Sequence, residues 1–202
     1  INTNQKAMVA AQQKYHVKPT VIASLLWLES RFGINQGRFH LASSFLHLLQ
    51  ADRPEVVEHL KRAATKYKDH EDGPLNKKEI REITKRAKKK SAWALSELKA
   101  LQKMFLRDPD LTNSLRGSFA GAFGIPQFLP SSYNHSARSA SHQTPDLTNP
   151  EDAIHSVAFY LKSSGWRDAK PKTQQKALLR YNNSTDYANT ILTLAKQVDE
   201  AH

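Results

Sequence analysis

Glu29 is the residue whose type and position best suit acid–base chemistry. Ile22, Leu25 and Leu26 mark one face of a helix at i, i+3 and i+4, and that face continues at i+7 with a carboxyl group instead of an apolar side chain. A carboxyl group held against apolar neighbours loses hydration, keeps its proton to higher pH and can serve as a general acid. The ordinary alternative is that Glu29 ends the stripe in solvent, or pairs with a base such as Arg31. Two later stretches carry unusual residue types. Ser118 to Tyr133 holds two of the seven glycines and two of the nine prolines, with small residues alternating with Phe119, Phe123, Phe128 and Leu129. Such a run either brings backbone close to a ligand or is a tight connector whose aromatics plug the core. Further on, Tyr181-Asn182-Asn183-Ser184 offers a ring, two amides and a hydroxyl.

Other chemistries find little support. The chain has no cysteine, which excludes disulfides, thiolate metal sites and Cys nucleophiles. None of the nine histidines shows His-Glu-x-x-His spacing or a compact cluster; His135, His142 and His155 read as surface or loop residues, and no metal site is expected. There is no Gly-x-Ser-x-Gly elbow. Gly121-Ala122-Phe123-Gly124 lacks the following Lys-Ser/Thr and the preceding strand of a phosphate loop. No cofactor is expected.

The elements that must position these residues are helical almost throughout. Asn4 to Tyr15 forms a first helix, and Pro19 opens the helix that carries Glu29, with Gly33 as its C-cap. Leu41 to Gln50 follows, with Phe45, Leu46 and Leu49 turned inward; Pro54 opens the next, through Val57, Leu60 and Ala64. His70 to Asn76 reads as a loop, and Asn76 with Glu79 as a capping box. Beyond it lies a very basic stretch, Lys77 to Lys90, with Ile80 and Ile83 as a thin apolar stripe. A second helical stretch, Ser91 to Phe105, has Leu95, Leu98, Leu101 and Phe105 spaced to bury. Asp108 to Gly117 reads as a loop, and Asn134 to Asn149 as polar and aperiodic. Asn149-Pro150-Glu151-Asp152 is a strong helix start whose apolar face is Ile154, Val157, Ala158 and Leu161, with Gly165 just past its end. Thr173 to Arg180 and Asp186 to Val198 close the chain, and no strand or repeat is expected.

The 202 residues suffice for one domain with a substantial core, and a mean hydropathy of −0.62 implies long charged faces. No apolar run reaches membrane-span length. No secretory signal is visible; the chain opens at Ile1 and reads as a processed or trimmed product, so the missing signal does not argue for the cytosol. The formal net charge of +11 is concentrated: Lys61 to Lys103 holds 14 Lys and Arg against 6 Asp and Glu. Such a segment meets an anionic partner (nucleic acid, lipid or cell-wall polymer) or is a solvated helix face. The basic run from Lys85 to Lys90 has no interleaved aromatic before Trp93, which weighs against nucleic acid.

Three separated motifs then agree in order: Glu29-Ser30-Arg31-Phe32-Gly33, Ser118 to Tyr133, and Tyr181-Asn182-Asn183-Ser184. Together they resemble the lytic transglycosylases of the membrane-bound lytic transglycosylase B type. Pro150-Glu151-Asp152-Ala153-Ile154 is similar to that family's helix start. The resemblance covers about residues 1–60 and 115–198. It implies a mainly α, lysozyme-like catalytic domain over residues 1–202, with a basic helical section inserted at about residues 60–110. It also implies cleavage of the β-1,4 bond between N-acetylmuramic acid and N-acetylglucosamine, leaving a 1,6-anhydro end. By the same resemblance Glu29 is the catalytic acid and base. Ser118 and Gln127 line the glycan site, and Tyr181 stands near the acid. Tyr187 is a second tyrosine further on, and Asn182 would form a polar wall.

Two departures stand out. The family often has an acidic calcium loop before the helix at Pro150, but here Arg138 to Asp146 lacks the carboxylates such a site requires, so calcium is not carried over. Phe123 and Ile125 occupy positions more often Met and aromatic, and are expected to reshape a sugar subsite. The expected partner is the peptidoglycan glycan strand, with no nucleic acid. A monomer is expected, in the periplasm or secreted. Two rival readings are a lysozyme-like hydrolase on the same fold, with altered glycan specificity such as de-N-acetylated chains, and a wall-binding protein without turnover.

Overall fold

A computed structural model describes residues 4–68, 74–141 and 144–201. Its elements run α1 (Gln5–Tyr15), α2 (Pro19–Ser30), β1 (Phe39–His40), α3 (Leu41–Leu48), a 3₁₀ turn (Leu49–Asp52), α4 (Pro54–Lys68), α5 (Lys77–Arg107), α6 (Pro109–Ser114), β2 (Arg116–Gly117), α7 (Pro130–Ser136), α8 (Pro150–Ser163), α9 (Pro171–Tyr181) and α10 (Thr185–Glu200). The mainly helical expectation is met. Most starts lie where local chemistry predicts. Proline occupies the first turn of α2, α7, α8 and α9, where its missing N–H leaves no bond unmade. Asn149 accepts from the backbone N–H groups of Glu151 and Asp152, and the Asn76–Glu79 capping box is complete. Of the loop expected from His70 to Asn76, His70 to Gly73 lie outside the described residues, as does His142.

The core gathers Ile22 and Leu25 of α2, Phe45 of α3, Ile154 and Leu161 of α8, Leu178 of α9 and Ile191 of α10, with Phe123, Leu147 and Trp166 from the connections. The middle of α2, Val21 to Leu26, is buried, and the helix packs against α10, α1 and α8. In its last turn Trp27 and Leu28 are exposed, while Glu29 is partly buried and Ser30 buried.

Several expectations are corrected. Lys77 to Arg107 is one helix of 31 residues, not two stretches, because neither Gly nor Pro interrupts it. Its buried face is Ala87, Ser91, Ala94, Glu97, Leu101 and Met104, while Leu95 and Phe105 stand 44% and 42% exposed. Small residues set this face: they let α5 approach α3 and the 3₁₀ turn, where Ser91 Oγ donates to the Leu49 carbonyl at 2.8 Å. In α3 the inward residues are Leu41, Phe45 and Leu48; Leu46 is exposed. Asp108 to Gly117, read as a loop, contains α6 and β2. The Asp108 side chain caps α6 by accepting from Leu111 N at 2.9 Å, and β2 pairs antiparallel with β1. His155, expected at the surface or in a loop, lies on α8 with its ring edge-on to Tyr15.

The β1–β2 pair depends on a close crossing. At Gly37 (φ +88°) the chain passes over Gly117, and a Cβ there would fall 2.1 Å from the Gly117 carbonyl carbon. This contact presses residues 34–39 against the start of the Ser118–Tyr133 run.

Buried Glu97 joins α5 to α7. Its carboxyl oxygens accept from Ser131 N (2.9 Å) and Ser131 Oγ (2.7 Å), supplying the cap that Leu129 cannot. Glu97→Ala would leave these donors without a partner and is expected to cost about 2 kcal/mol, measured by urea denaturation.

Candidate active site

Glu29 occupies the last turn of α2, which stops abruptly. Arg31 and Phe32 both adopt left-handed conformations (φ +51° and +57°), reversing the chain within two residues. Ser30 secures this reversal: its hydroxyl donates to the Ile125 carbonyl at 2.7 Å and accepts from Gly33 N at 2.8 Å. The end of the acid-bearing helix is thereby fastened to the middle of the Ser118–Tyr133 run. Gly33, expected as the C-cap, lies two residues beyond the Arg31 cap.

That run folds back on itself as a pair of turns. Phe123 and Phe128 exchange backbone hydrogen bonds at 2.9 and 3.0 Å, and Ile125 N donates to the Leu147 carbonyl at 2.9 Å. At its end Pro130 opens α7. Across from Glu29, Tyr181 ends α9 and Tyr187 lies in the first turn of α10, where Ser184 caps the helix by accepting from Tyr187 N at 3.2 Å. The two rings stack, with centroids 6.4 Å apart and planes 14° from parallel, and Tyr160 of α8 meets Tyr181 edge-on at 4.8 Å. Tyr181 Oη donates to the Pro126 carbonyl, and Tyr187 Oη donates to Glu29 Oε1.

These elements enclose a cleft of about 320 Å³ lined by Glu29, Trp93, Gln127, Tyr160, Tyr181 and Asn182, with Ala120, Ala122, Phe128, Leu129 and Ser132 completing it. A second, more open groove of about 520 Å³ lies beyond Gln127, between residues 34–39 and Ser118-Phe119. Gln127 borders both. Its amide Nε2 donates to the carbonyls of Gly124 (2.9 Å) and Gln36 (3.3 Å), so its side-chain oxygen is the atom left for a ligand.

The expected residues therefore fall into three places. Glu29, Gln127, Tyr181 and Asn182 share the cleft. Ser118 does not line it: it lies in the neighbouring groove, with Oγ accepting from Ala122 N at 3.1 Å. Tyr187 stands behind Glu29 as its hydrogen-bond donor. Phe123 and Ile125, expected to reshape a subsite, are buried away from the cleft, Phe123 against Tyr133 and Ile125 beside Gly33. Sequence reasoning missed Trp93, Tyr160 and Ser132. Trp93 had a visible signal, as a lone aromatic directly after the basic run. Tyr160 and Ser132 had none beyond their neighbours.

The electrostatics follow from burial. Loss of hydration raises the Glu29 pKa above the ordinary carboxylate value, and the hydrogen bond from Tyr187 pulls it partly back. Burial together with the nearby Glu29 charge raises the pKa of both Tyr181 and Tyr187, so both hydroxyls remain donors. Among the described residues no group of His, Asp or Glu side chains is arranged to hold a metal ion. Next to the Arg138–Asp146 segment, where calcium would bind in the resembling family, Asp152 of α8 is already occupied. Its carboxylate accepts from Ala140 N at 2.7 Å and Asp146 N at 2.8 Å, tying the loop by backbone donors. The described residues there do not fit a calcium site.

The fold is mainly helical and lysozyme-like, with one partly buried glutamate in a cleft lined by rings and amides. The chain belongs to the transglycosylase SLT domain family, whose model matches residues 1–176. It is 29% identical over 170 residues to the membrane-bound lytic murein transglycosylase B of Escherichia coli K12, covering 82% of this chain and 36% of that relative's length. Among solved structures, the E. coli lytic transglycosylase SLT35 in complex with calcium superposes with a TM-score of 0.74 at 22% identity, covering 99% of this chain and 72% of that one. SltB3 of Pseudomonas aeruginosa in complex with NAG-NAM-pentapeptide superposes with a TM-score of 0.70 at 18% identity, covering 97% and 60%.

Proposed function

We propose that this chain is a lytic transglycosylase that cleaves the β-1,4 bond between N-acetylmuramic acid and N-acetylglucosamine in peptidoglycan. The observation that carries the reading is Glu29: the cleft wall contains one carboxyl group, desolvated and held by a single side-chain donor. Glycosidases that use water or an enzyme nucleophile ordinarily need a second carboxylate across the bond. One carboxyl group suffices when the nucleophile belongs to the substrate. Glu29 gives its proton to the glycosidic oxygen as the C1–O bond breaks. The resulting carboxylate takes the proton of the muramoyl 6-hydroxyl, whose oxygen bonds to C1 and closes the 1,6-anhydro ring. Glu29 ends protonated as it began, and no water is consumed.

The walls suit this substrate. Tyr160, Tyr181 and Trp93 supply aromatic lining that suits the C–H surfaces of sugar rings, while Gln127 and Asn182 supply polar groups for hydroxyl and acetamido groups. The groove bordered by Ser118 continues the site for a longer strand. The family assignment and the peptidoglycan fragment bound by SltB3 support the same substrate. Action on the wall implies a location in the bacterial envelope or outside it. No helix among the described residues is long and apolar enough to cross a membrane. Mass spectrometry of released muropeptides is the test: anhydro-ended products are expected, and reducing ends alone would favour a hydrolase.

Tyr187 positions the acid. Its hydroxyl stabilises the ionised form of Glu29, so Tyr187→Phe is expected to raise the Glu29 pKa. Cleavage requires protonated Glu29, and the basic limb of the pH–rate profile should move to higher pH in this variant. A profile displaced only in height would show that Tyr187 has a packing role alone.

A further inference from the structure

The continuous α5 helix joins the cleft to a charged surface. Trp93, at the cleft wall, has Lys89 and Lys90 one turn towards the N-terminus and Arg86 two turns away, all on the same side of the helix. At about 1.5 Å per residue the three cations lie some 5 to 10 Å along the helix from the cleft edge. All three are exposed, and none takes part in an ion pair among the described residues. The acids of the same face are engaged elsewhere: Glu82 with Lys85 at 3.6 Å, and Glu97 with Ser131.

We propose that Arg86, Lys89 and Lys90 form a recognition strip for the carboxylates of peptidoglycan stem peptides, oriented by the glycan seated against Trp93. The inference rests on the proposed glycan substrate. A stem peptide leaves the muramoyl residue through its lactyl ether and carries carboxylates; at about 3.5 Å per extended residue, three of its residues span roughly 10 Å, a reach that matches the strip. The strip is narrow and starts at a walled cleft too small for a nucleic-acid duplex. It also lacks the interleaved apolar residues by which a helix enters a lipid surface.

The test uses the whole chain with Glu29→Gln, so that binding is read without cleavage. Its affinity is measured for intact sacculi and for sacculi freed of stem peptides by an amidase. Exposed ionic contacts each contribute about a factor of two. Adding Arg86→Gln, Lys89→Gln and Lys90→Gln is therefore expected to weaken binding to intact sacculi by about tenfold and to leave binding to the peptide-free glycan unchanged. A control triple, Lys6→Gln, Lys99→Gln and Lys172→Gln, removes the same charge elsewhere and is expected to match the parent on both. Equal losses on both substrates, equal losses in both triples, or no loss would overturn the proposal. So would a strip-dependent loss confined to anionic vesicles or duplex DNA. Failure of the unsubstituted chain to cleave would count against the proposed reaction, while the sacculus comparison would still decide the strip.

Discussion

Glu29→Gln is expected to lower turnover of peptidoglycan by about 10³-fold and, at neutral pH, to raise thermal stability. Both effects come from one cause. The carboxyl group is held in a site that disfavours its charge, which keeps the proton available for the glycosidic oxygen and costs the native state when the group ionises. The sign follows from linkage. A raised native pKa means that the folded protein binds the proton more tightly than the unfolded chain. The resulting stability is complete below the ordinary carboxylate pKa and is lost as pH rises through the native value. Glutamine has no charge to bury, so its advantage in melting temperature should be absent below the ordinary carboxylate pKa, grow as pH rises towards the native value, and level off above it. Calorimetry over that range, beside single-turnover assays on sacculi, checks both halves. Full activity in Glu29→Gln would remove the residue from the mechanism.

Gly37→Ala is expected to destabilise the fold by about 3 kcal/mol, combining the strain of a positive φ with a steric overlap that backbone cannot relieve. The overlapping partner is the Gly117 carbonyl, which is held in the β1–β2 pair and has no rotamer by which to move away. Gly165→Ala supplies the comparison. Its φ of +89° carries similar strain, but a Cβ there meets nothing within 4 Å. It is expected to cost about 1 kcal/mol. The gap between the two in urea denaturation measures the crossing itself. Equal losses would mean that the crossing opens at little cost. Because residues 34–39 form one bank of the groove beyond Gln127, the Gly37 variant should also lose affinity for long glycan strands more than for short ones.

What could be read from the sequence follows the range of the interactions. Glu29 was legible because an amphipathic face broke its pattern within two helical turns. The Asn149-Pro150 start and the Asn76–Glu79 box were legible because capping is decided within four residues. The inward face of α5 was not, since it depends on which neighbour approaches: Ala87, Ser91 and Ala94 pack closely where Leu95 would have been the local choice. The site divides in the same way. Gln127, Tyr181 and Asn182 lie in short motifs that keep their spacing, whereas Trp93 and Tyr160 reach the cleft only through the packing of α5 and α8. Phe123 and Ile125 illustrate the limit from the other side. A motif can show that a position differs without showing which way the side chain faces, and here both face the core.

The unbroken α5 helix is expected to divide by amide exchange. From Ser91 onwards it carries five buried residues, so its amides should exchange only when the whole fold opens. From Lys77 to Lys90 it buries Ala87 alone, and exchange there needs no more than local separation from α4. Trp93 sits just inside the slowly exchanging half. The cationic end of the helix can therefore open locally while the ring at the cleft edge stays fixed.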